Sequence, residues 1–327
     1  VKAIVINQFG GKEALSYQHV DKPSIVGSNE VLISVVATSV NYADIQTREG
    51  RYHAAGKPPI IPGLDAAGVV ESVGAAVRTV SVGDRVVAFP KTGSYAEYCI
   101  ADEELVFALP PGIGFEEAAA SPIVSFTSYA LIAKVARMQK GEAVLIHAAA
   151  GGIGTTATQI AKILGAGCVI GTVGHESKRQ AALESGADYV ICYETEDFVQ
   201  KVNELTGNKG ADVILDSIAG KIGEQSLDCL APYGRLVNFG NASGEPAQFQ
   251  TKDLHSTCRS ILGFSIGTTK NQRPHMLHEL GENVFRYLST GQLNIKISNT
   301  FNLPDAGLAQ QLVESRQSTG KVVLKIS

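Results

Sequence analysis

Tryptophan is absent from this chain of 327 residues, and cysteine is sparse. The five cysteines, Cys99, Cys168, Cys192, Cys229 and Cys258, are odd in number, widely scattered and without a CxxC pair. Such spacing is a poor disulfide framework and reads as free thiols in a reducing compartment. No stretch stays apolar long enough to span a bilayer. The opening "VKAIVINQFGG" carries a short apolar run, not the extended one of a secretory signal. A cytoplasmic protein without membrane association is expected.

Charge is also thin. Charged residues make up 18% of the chain and the formal net charge is -4, so there is no general attraction for nucleic acid or an anionic membrane. No basic tract with interleaved aromatics marks a nucleic-acid surface. The seven histidines form no HxxxH; His275 and His278, three apart and without a neighbouring ligand cluster, read as ordinary helix surface. No Ser-His-Asp order or glycine nucleophile elbow is present.

Glycine, in contrast, is plentiful at 34 residues, and a 44% hydrophobic content suits a soluble globular protein. The length favours two domains over one core. The first third reads as short strands at 2–7, 30–40, 68–73, 85–89 and 95–100, punctuated by Gly, Pro and Asn. This all-β pattern predicts a small, partly closed barrel. Near residue 115 the period becomes helical, with a break around Pro122.

Alternation follows: strands at 143–147, 168–171, 189–192, 212–215, 235–239 and near 261–264, separated by helices at 153–164, 177–185, 197–205 and 221–230. Strands spaced by helices predict a doubly wound parallel α/β sheet. The tail, from about 282, holds one more helix, a strand near 295–301, a helix at 305–315 and a strand at 321–326. It is expected to return to the first domain. The division is therefore 1–123, 124–266 and a returning segment 267–327.

After the strand ending at His147, "AAAGGIG" forms A-x-x-G-x-x-G from Ala148, Gly151 and Gly154. Gly151 would admit a pyrophosphate close to the backbone, and Gly154 would let the helix pack against the strand. The helix start adds unpaired N–H groups for phosphate. A glycine turn that merely permits tight packing is the bland alternative. The second strand of such a site commonly ends in an acid that binds the ribose 2'-hydroxyl; here it reads "VIGTVGHESKR", with Gly171 and Thr172 where that acid would stand. Nothing there repels a 2'-phosphate, and Lys178 offers a cation, with Gly174 and Ser177 beside it. Glu176 could instead face the ribose, and Lys178 with Arg179 could be a solvated face. NADPH is expected over NADH.

The arrangement resembles the medium-chain dehydrogenase/reductase superfamily, and within it the zinc-free, zeta-crystallin-like quinone oxidoreductases. The marks are "NYAD" (41–44), "PGLDAAGVV" (62–70), "VGDRVV" (82–87), "AAAGGIGTTATQIAK" (148–162), "GADYVICY" (186–193), "GRLVNFGNASG" (234–244) and "ESRQSTGKVVL" (314–324). The resemblance implies a Rossmann cofactor domain beside a GroES-like, mainly β domain, and a homodimer to which "RSILGFSIG" could contribute.

It also implies where a zinc relative keeps its ligands: at Asn41, at Leu64-Asp65 and around 125–127. A neutral amide, a leucine and hydroxyls do not replace thiolate and imidazole. The lobe of four clustered cysteines is missing between Phe89 and Tyr98. No metal is expected.

By the same resemblance, Asn41 lies beside nicotinamide and substrate; the plainer reading is an asparagine that caps the short helix following it. Tyr52 lines the acceptor side, where it either positions a carbonyl, donates a proton or merely packs. Leu64 supplies apolar wall. Asp44 is expected to order its segment, and Gln46 stands where relatives often have tyrosine. Cofactor contacts implied are Asn41, Thr127, Ala150, Gly151, Gly152, Ile153, Gly154, Gly174, Ser177, Lys178, Tyr193, Ser217, Phe239, Gly240, Asn241, Phe264 and Arg316. Lys178, Tyr193 and Arg316 would surround the 2'-phosphate.

Without zinc to polarise an oxygen, the acceptor must take hydride readily by itself. The expected reaction is NADPH-dependent reduction of a quinone or related small electrophile in a cleft between the domains. Reduction of conjugated alkenals or enones is the alternative, and a cofactor-binding protein with little turnover is the third.

Overall fold

The computed structural model describes residues 1–54 and 56–326 and divides into two units. One comprises Val1–Phe126, Gly267–Gly291 and Ile297–Ser327; the other comprises Thr127–Ile266 and Gln292–Lys296. The strands in chain order are β1 (Lys2–Ile6), β2 (Leu15–His19), β3 (Glu30–Val40), β4 (Ala66–Val73), β5 (Arg85–Ala88), β6 (Tyr98–Asp102), β7 (Val106–Ala108), β8 (Ala143–Ile146), β9 (Cys168–Val173), β10 (Tyr189–Cys192), β11 (Ala211–Asp216), β12 (Leu230–Asn238), β13 (Ser260–Gly263), β14 (Ile297–Asn302) and β15 (Lys321–Lys325).

In the first unit β3 is the organising strand. One of its edges pairs with β4; the other pairs with β6 over Glu30–Ser34 and with β15 over Ala37–Val40. Register shifts at Leu32/Ile33 and Val35/Ala37 bend β3, because an extra residue on one strand sharpens its twist. The resulting sheet runs β14-β15-β3-β4-β5-β7. Val31, Ile33, Val35, Val70, Val86 and Cys99 fill its interior.

The β reading of this region was incomplete. The short helix after Asn41 is present as Tyr42–Arg48, and Asn41 and Asp44 form a capping box at its start. Strands β2 and β7 lay outside the expectation, since "LSYQH" is half exposed and "VFA" is too short to show a period. The tail contains two helices where one was expected, Ile266–Gln272 and His275–Ser289. His275 and His278 are exposed on the latter.

The second unit holds a six-stranded, wholly parallel sheet ordered β10-β9-β8-β11-β12-β13. Relabelled within the unit this is 3-2-1-4-5-6, the order in which two βαβαβ halves meet at a switch point between the first and fourth strands. Helices Gly152–Ile163, Phe198–Leu205 and Gly220–Gln225 cover it, the first burying Ala157, Ile160 and Ala161.

Two boundaries differ from expectation for a local reason. The helix expected over 221–230 ends at Gln225 and passes into a tight turn, Ser226–Cys229. Strand β12 then starts at Leu230, but Tyr233 takes a φ of 62° and the register with β11 breaks between Ala211 and Val213. Among the described residues no helix is long and apolar enough to cross a membrane.

Candidate functional site

In the second unit, the glycine turn sits at the carboxyl end of β8. Ala148 has a φ of 53°, a left-handed conformation that opposes its Cβ, so this alanine occupies the place where glycine would be relaxed. Gly151 N–H closes the turn on the Ala148 carbonyl at 3.0 Å. A Cβ on Gly154 would stand 2.3 Å from that carbonyl oxygen and 2.5 Å from the Ala149 Cα. Only glycine fits there.

A Cβ on Gly151 would meet nothing closer than 3.4 Å, so internal packing does not require that glycine. Ala150, Gly151, Gly152, Ile153 and Gly154 lie together at the start of helix Gly152–Ile163, whose first N–H groups have no upstream helical carbonyl.

The ends of β11, β12 and β13 gather the next group. Asp216, buried, accepts from Ile218 N at 2.8 Å, Ala219 N at 3.0 Å and Asn238 Nδ2 at 3.2 Å. Phe239 N donates to the Asp216 carbonyl at 2.9 Å, and Phe264 N to the Asn238 carbonyl at 3.1 Å. A Cβ on Gly240 would lie 2.9 Å from the Ser217 carbonyl oxygen. Ser217, Phe239, Gly240, Asn241 and Phe264 therefore stand on one rim. Asp216, which holds that rim together, was not picked out from the sequence; its signal was an acid ending the apolar run at 213–215.

At the end of β9, the Tyr193 hydroxyl rests over Gly174, 2.6 Å from where a Cβ would be. His175 Nδ1 accepts from Ser177 N at 3.2 Å and lies 2.8 Å from Ser177 Oγ, fixing the turn that carries Lys178. Glu176 is taken by Arg179, with Oε1 to Nε at 2.6 Å, and the guanidinium holds its carboxyl below the ordinary value. Thr127 is buried, and its Oγ1 has no hydrogen-bond partner among the described residues. An orphaned buried hydroxyl calls for an outside partner. Arg316 belongs to the first unit, just beyond helix Ala306–Glu314, with a φ of 58°.

In the first unit, a buried polar cluster forms where β3 ends. Asp65 accepts from Ser39 N at 3.0 Å and Ser39 Oγ at 2.8 Å, and its other oxygen accepts from Asn41 Nδ2 at 3.0 Å. Asn41 Oδ1 accepts from Lys321 Nζ at 2.6 Å, and the same ammonium donates to the Val40 carbonyl at 3.1 Å. Asp44 accepts from Asn41 N at 2.9 Å, Gly63 N at 3.1 Å and the Tyr95 hydroxyl at 3.4 Å.

Burial, reinforced by the Asp65 charge, pushes Asp44 up to about 7. Burial also raises Asp65 and lowers Lys321, each opposed by the other's charge. Leu64, half-buried, lies between Gly63 and Asp65, both tied to the helix start. Tyr52 is half-buried, and its hydroxyl lies against Gly267. Ser39, Asp65, Tyr95 and Lys321 were missed as members of the site. The readable trace was an acid and a lysine next to apolar strand segments, "LDAAGVV" and "GKVVLK".

The sequence also matches known families. The pattern described as "Zinc-binding dehydrogenase" matches residues 152–282, and "Alcohol dehydrogenase GroES-like domain" matches residues 27–111. A quinone oxidoreductase of Pseudomonas aeruginosa is 37% identical over 99% of both chains. A 2-haloacrylate reductase of a Burkholderia species is 34% identical over 99% of this chain and 98% of its own. The solved structure of Escherichia coli quinone oxidoreductase complexed with NADPH matches with a TM-score of 0.93 and 34% identity, covering 100% of each chain.

The zinc in the first description does not fit the residues present. Asn41 already holds the Lys321 ammonium, and the Asp65 oxygens are bonded to Ser39 and Asn41. Among the described residues no group of three or more His, Cys, Asp or Glu side chains could hold a metal ion.

Proposed function

Because the chain belongs to the medium-chain dehydrogenase/reductase superfamily, in its quinone-oxidoreductase-like subgroup, we propose that it is an NADPH-dependent reductase of quinones that works without a metal. The observation that carries this reading is the Lys321–Asn41 contact of 2.6 Å. Asn41, at the position the resemblance gives to a zinc ligand, is an amide already bonded to an ammonium, so the acceptor must take hydride without help from a metal. Quinones do, since their two-electron product is aromatic.

The nicotinamide, when bound, supplies the hydride. The turn Ala150, Gly151, Gly152, Ile153 and Gly154 would hold the pyrophosphate by backbone N–H groups. Thr127, with its orphaned hydroxyl, and the rim of Ser217, Phe239, Gly240, Asn241 and Phe264 would bind the nicotinamide half. Lys178 and Tyr193 would take the 2'-phosphate, with Gly174 and Ser177 at the ribose. The pairing of Glu176 with Arg179 favours that phosphate, because the acid is already neutralised. Asn41, Tyr52 and Leu64 would face the acceptor. A homodimer through the sheet's edge strand β13 is part of the proposal, and light scattering tests it.

NADPH and NADH oxidation measured with a panel of quinones and conjugated enones tests the whole. Turnover of quinones with NADPH is expected. Activity confined to enones favours the second reading, to which the 2-haloacrylate reductase similarity lends support. Tight NADPH binding without oxidation of any acceptor rejects both.

A further inference from the structure

A lysine sheltered from water loses the hydration of its ammonium, so a half-buried one needs a reason. Lys270 is such a residue, on the seven-residue helix Ile266–Gln272. Its Nζ donates to the Pro90 carbonyl at 3.2 Å. Two of its three N–H groups have no acceptor among the described residues. Burial lowers its pKa from the ordinary lysine value, while the charges of Asp44 and Asp102 oppose the fall.

Gly267 lies three residues earlier, and positions three apart share a helix face. That glycine is the surface on which Tyr52 rests; a Cβ there would be 2.4 Å from the tyrosine hydroxyl. The Asp44 charge acts on both Tyr52 and Lys270. One phenol and one amine therefore stand beside the segment that carries Asn41 and Asp44. They are unequal acids. Burial pushes Tyr52 up to about 12, so its hydroxyl orients an oxygen but releases a proton poorly, whereas Lys270 moves in the opposite direction.

Resting on the quinone-reductase reading, we propose that Lys270 meets the acceptor's carbonyl oxygen, holds the negative charge that reduction places there and returns a proton to it. Hydride addition brings two electrons to the quinone and leaves a phenolate. An N–H bond of the ammonium breaks, the phenolic O–H bond forms, and the neutral amine regains its proton from water. In sum, quinone, reduced dinucleotide and one proton give hydroquinone and oxidised dinucleotide.

The test uses the full chain and two readouts. The first is the ionisation of added p-nitrophenol, a phenol whose anion is yellow, with NADP⁺ present. Wild type is expected to bind the anion in preference to the neutral phenol; Lys270→Met loses that preference, and Lys270→Arg keeps it. The second is turnover: kcat for a quinone falls at least about 100-fold in both variants, because arginine keeps the charge but holds its proton. NADPH affinity stays within about twofold.

Wild type showing no preference for the anion overturns the proposal, whether or not the variants fold. So does a Lys270→Met protein with unchanged kcat. Full recovery of kcat by arginine overturns proton delivery. A wild type that never oxidises NADPH with any quinone sinks the underlying functional reading instead, a result seen before any variant is made.

Discussion

Lys321 Nζ donates to Asn41 Oδ1 across 2.6 Å, joining residues 280 positions apart. The contact ties the last strand to the residue that ends β3, and through Asn41 Nδ2 it reaches Asp65. All three side chains are buried.

Replacing Lys321 by methionine fills similar volume but leaves the Asp65 charge without its cation. Breaking one side of a buried charge pair costs about 3–5 kcal/mol. Urea unfolding of Lys321→Met should show a loss of that size, and a second substitution, Asp65→Asn, should return part of it. Equal stability of wild type and the single variant would mean that the cluster is already neutral.

The pH dependence of stability should have two opposing parts. Ser226 Oγ donates to the Ile222 carbonyl at 2.7 Å, so it accepts from His147 Nε2 at 2.9 Å; Thr172 Oγ1 then donates to Nδ1, also at 2.9 Å. Burial pushes this neutral histidine down to about 4 from 6.5. Between those values the unfolded chain binds the proton and the folded chain does not, so stability falls as pH falls, by up to about 3 kcal/mol.

Asp44 has the reverse sign. Its folded value near 7 exceeds the ordinary 3.8, so between them the folded chain holds the proton and stability rises as pH falls. Asp44→Asn should therefore steepen the acid loss between pH 6.5 and 4 in denaturant titrations. An unchanged slope would show that Asp44 is ionised throughout.

The left-handed alanine in the glycine turn makes a pair of opposite predictions. Ala148→Gly relieves a conformation costing roughly 1–2 kcal/mol and should raise stability with NADPH binding retained. Gly154→Ala forces a methyl to within 2.3 Å of the Ala148 carbonyl oxygen; it should lower stability by about 1–3 kcal/mol and weaken dinucleotide binding. Calorimetric titration with NADPH and thermal unfolding read both. Unaltered affinity in Gly154→Ala argues that the turn serves packing alone.

Lys178→Ala should weaken NADPH binding about tenfold or more, consistent with loss of one charge-assisted phosphate contact, while NADH affinity stays nearly constant. Equal weakening of the two would remove Lys178 from the 2'-phosphate site.

The parallel sheet was legible because its evidence is local. Each strand from β8 to β12 is an apolar run bounded by a helix-length pattern, and the glycine spacing needs only a strand before it and a helix after it. The kink at Tyr233 escaped because an L-residue at positive φ carries no compositional mark. In the first unit the sequence pointed to Asn41, Tyr52 and Leu64 but not to the buried cluster around Asn41. Its supporting residues looked like ordinary members of strands and loops.

Glycine spacing, hydrophobic alternation and the missing soft ligands are properties of neighbouring residues, so the amino-acid order by itself determined the sheet, the glycine turn before its first helix and the lack of a zinc donor set. Chain closure decided the rest. Ser39 and Asn41 meet Asp65 when β4 pairs with β3, and Lys321 joins them only when β15 pairs with the same strand, so the buried acid and its cation are brought together by two separate strand pairings.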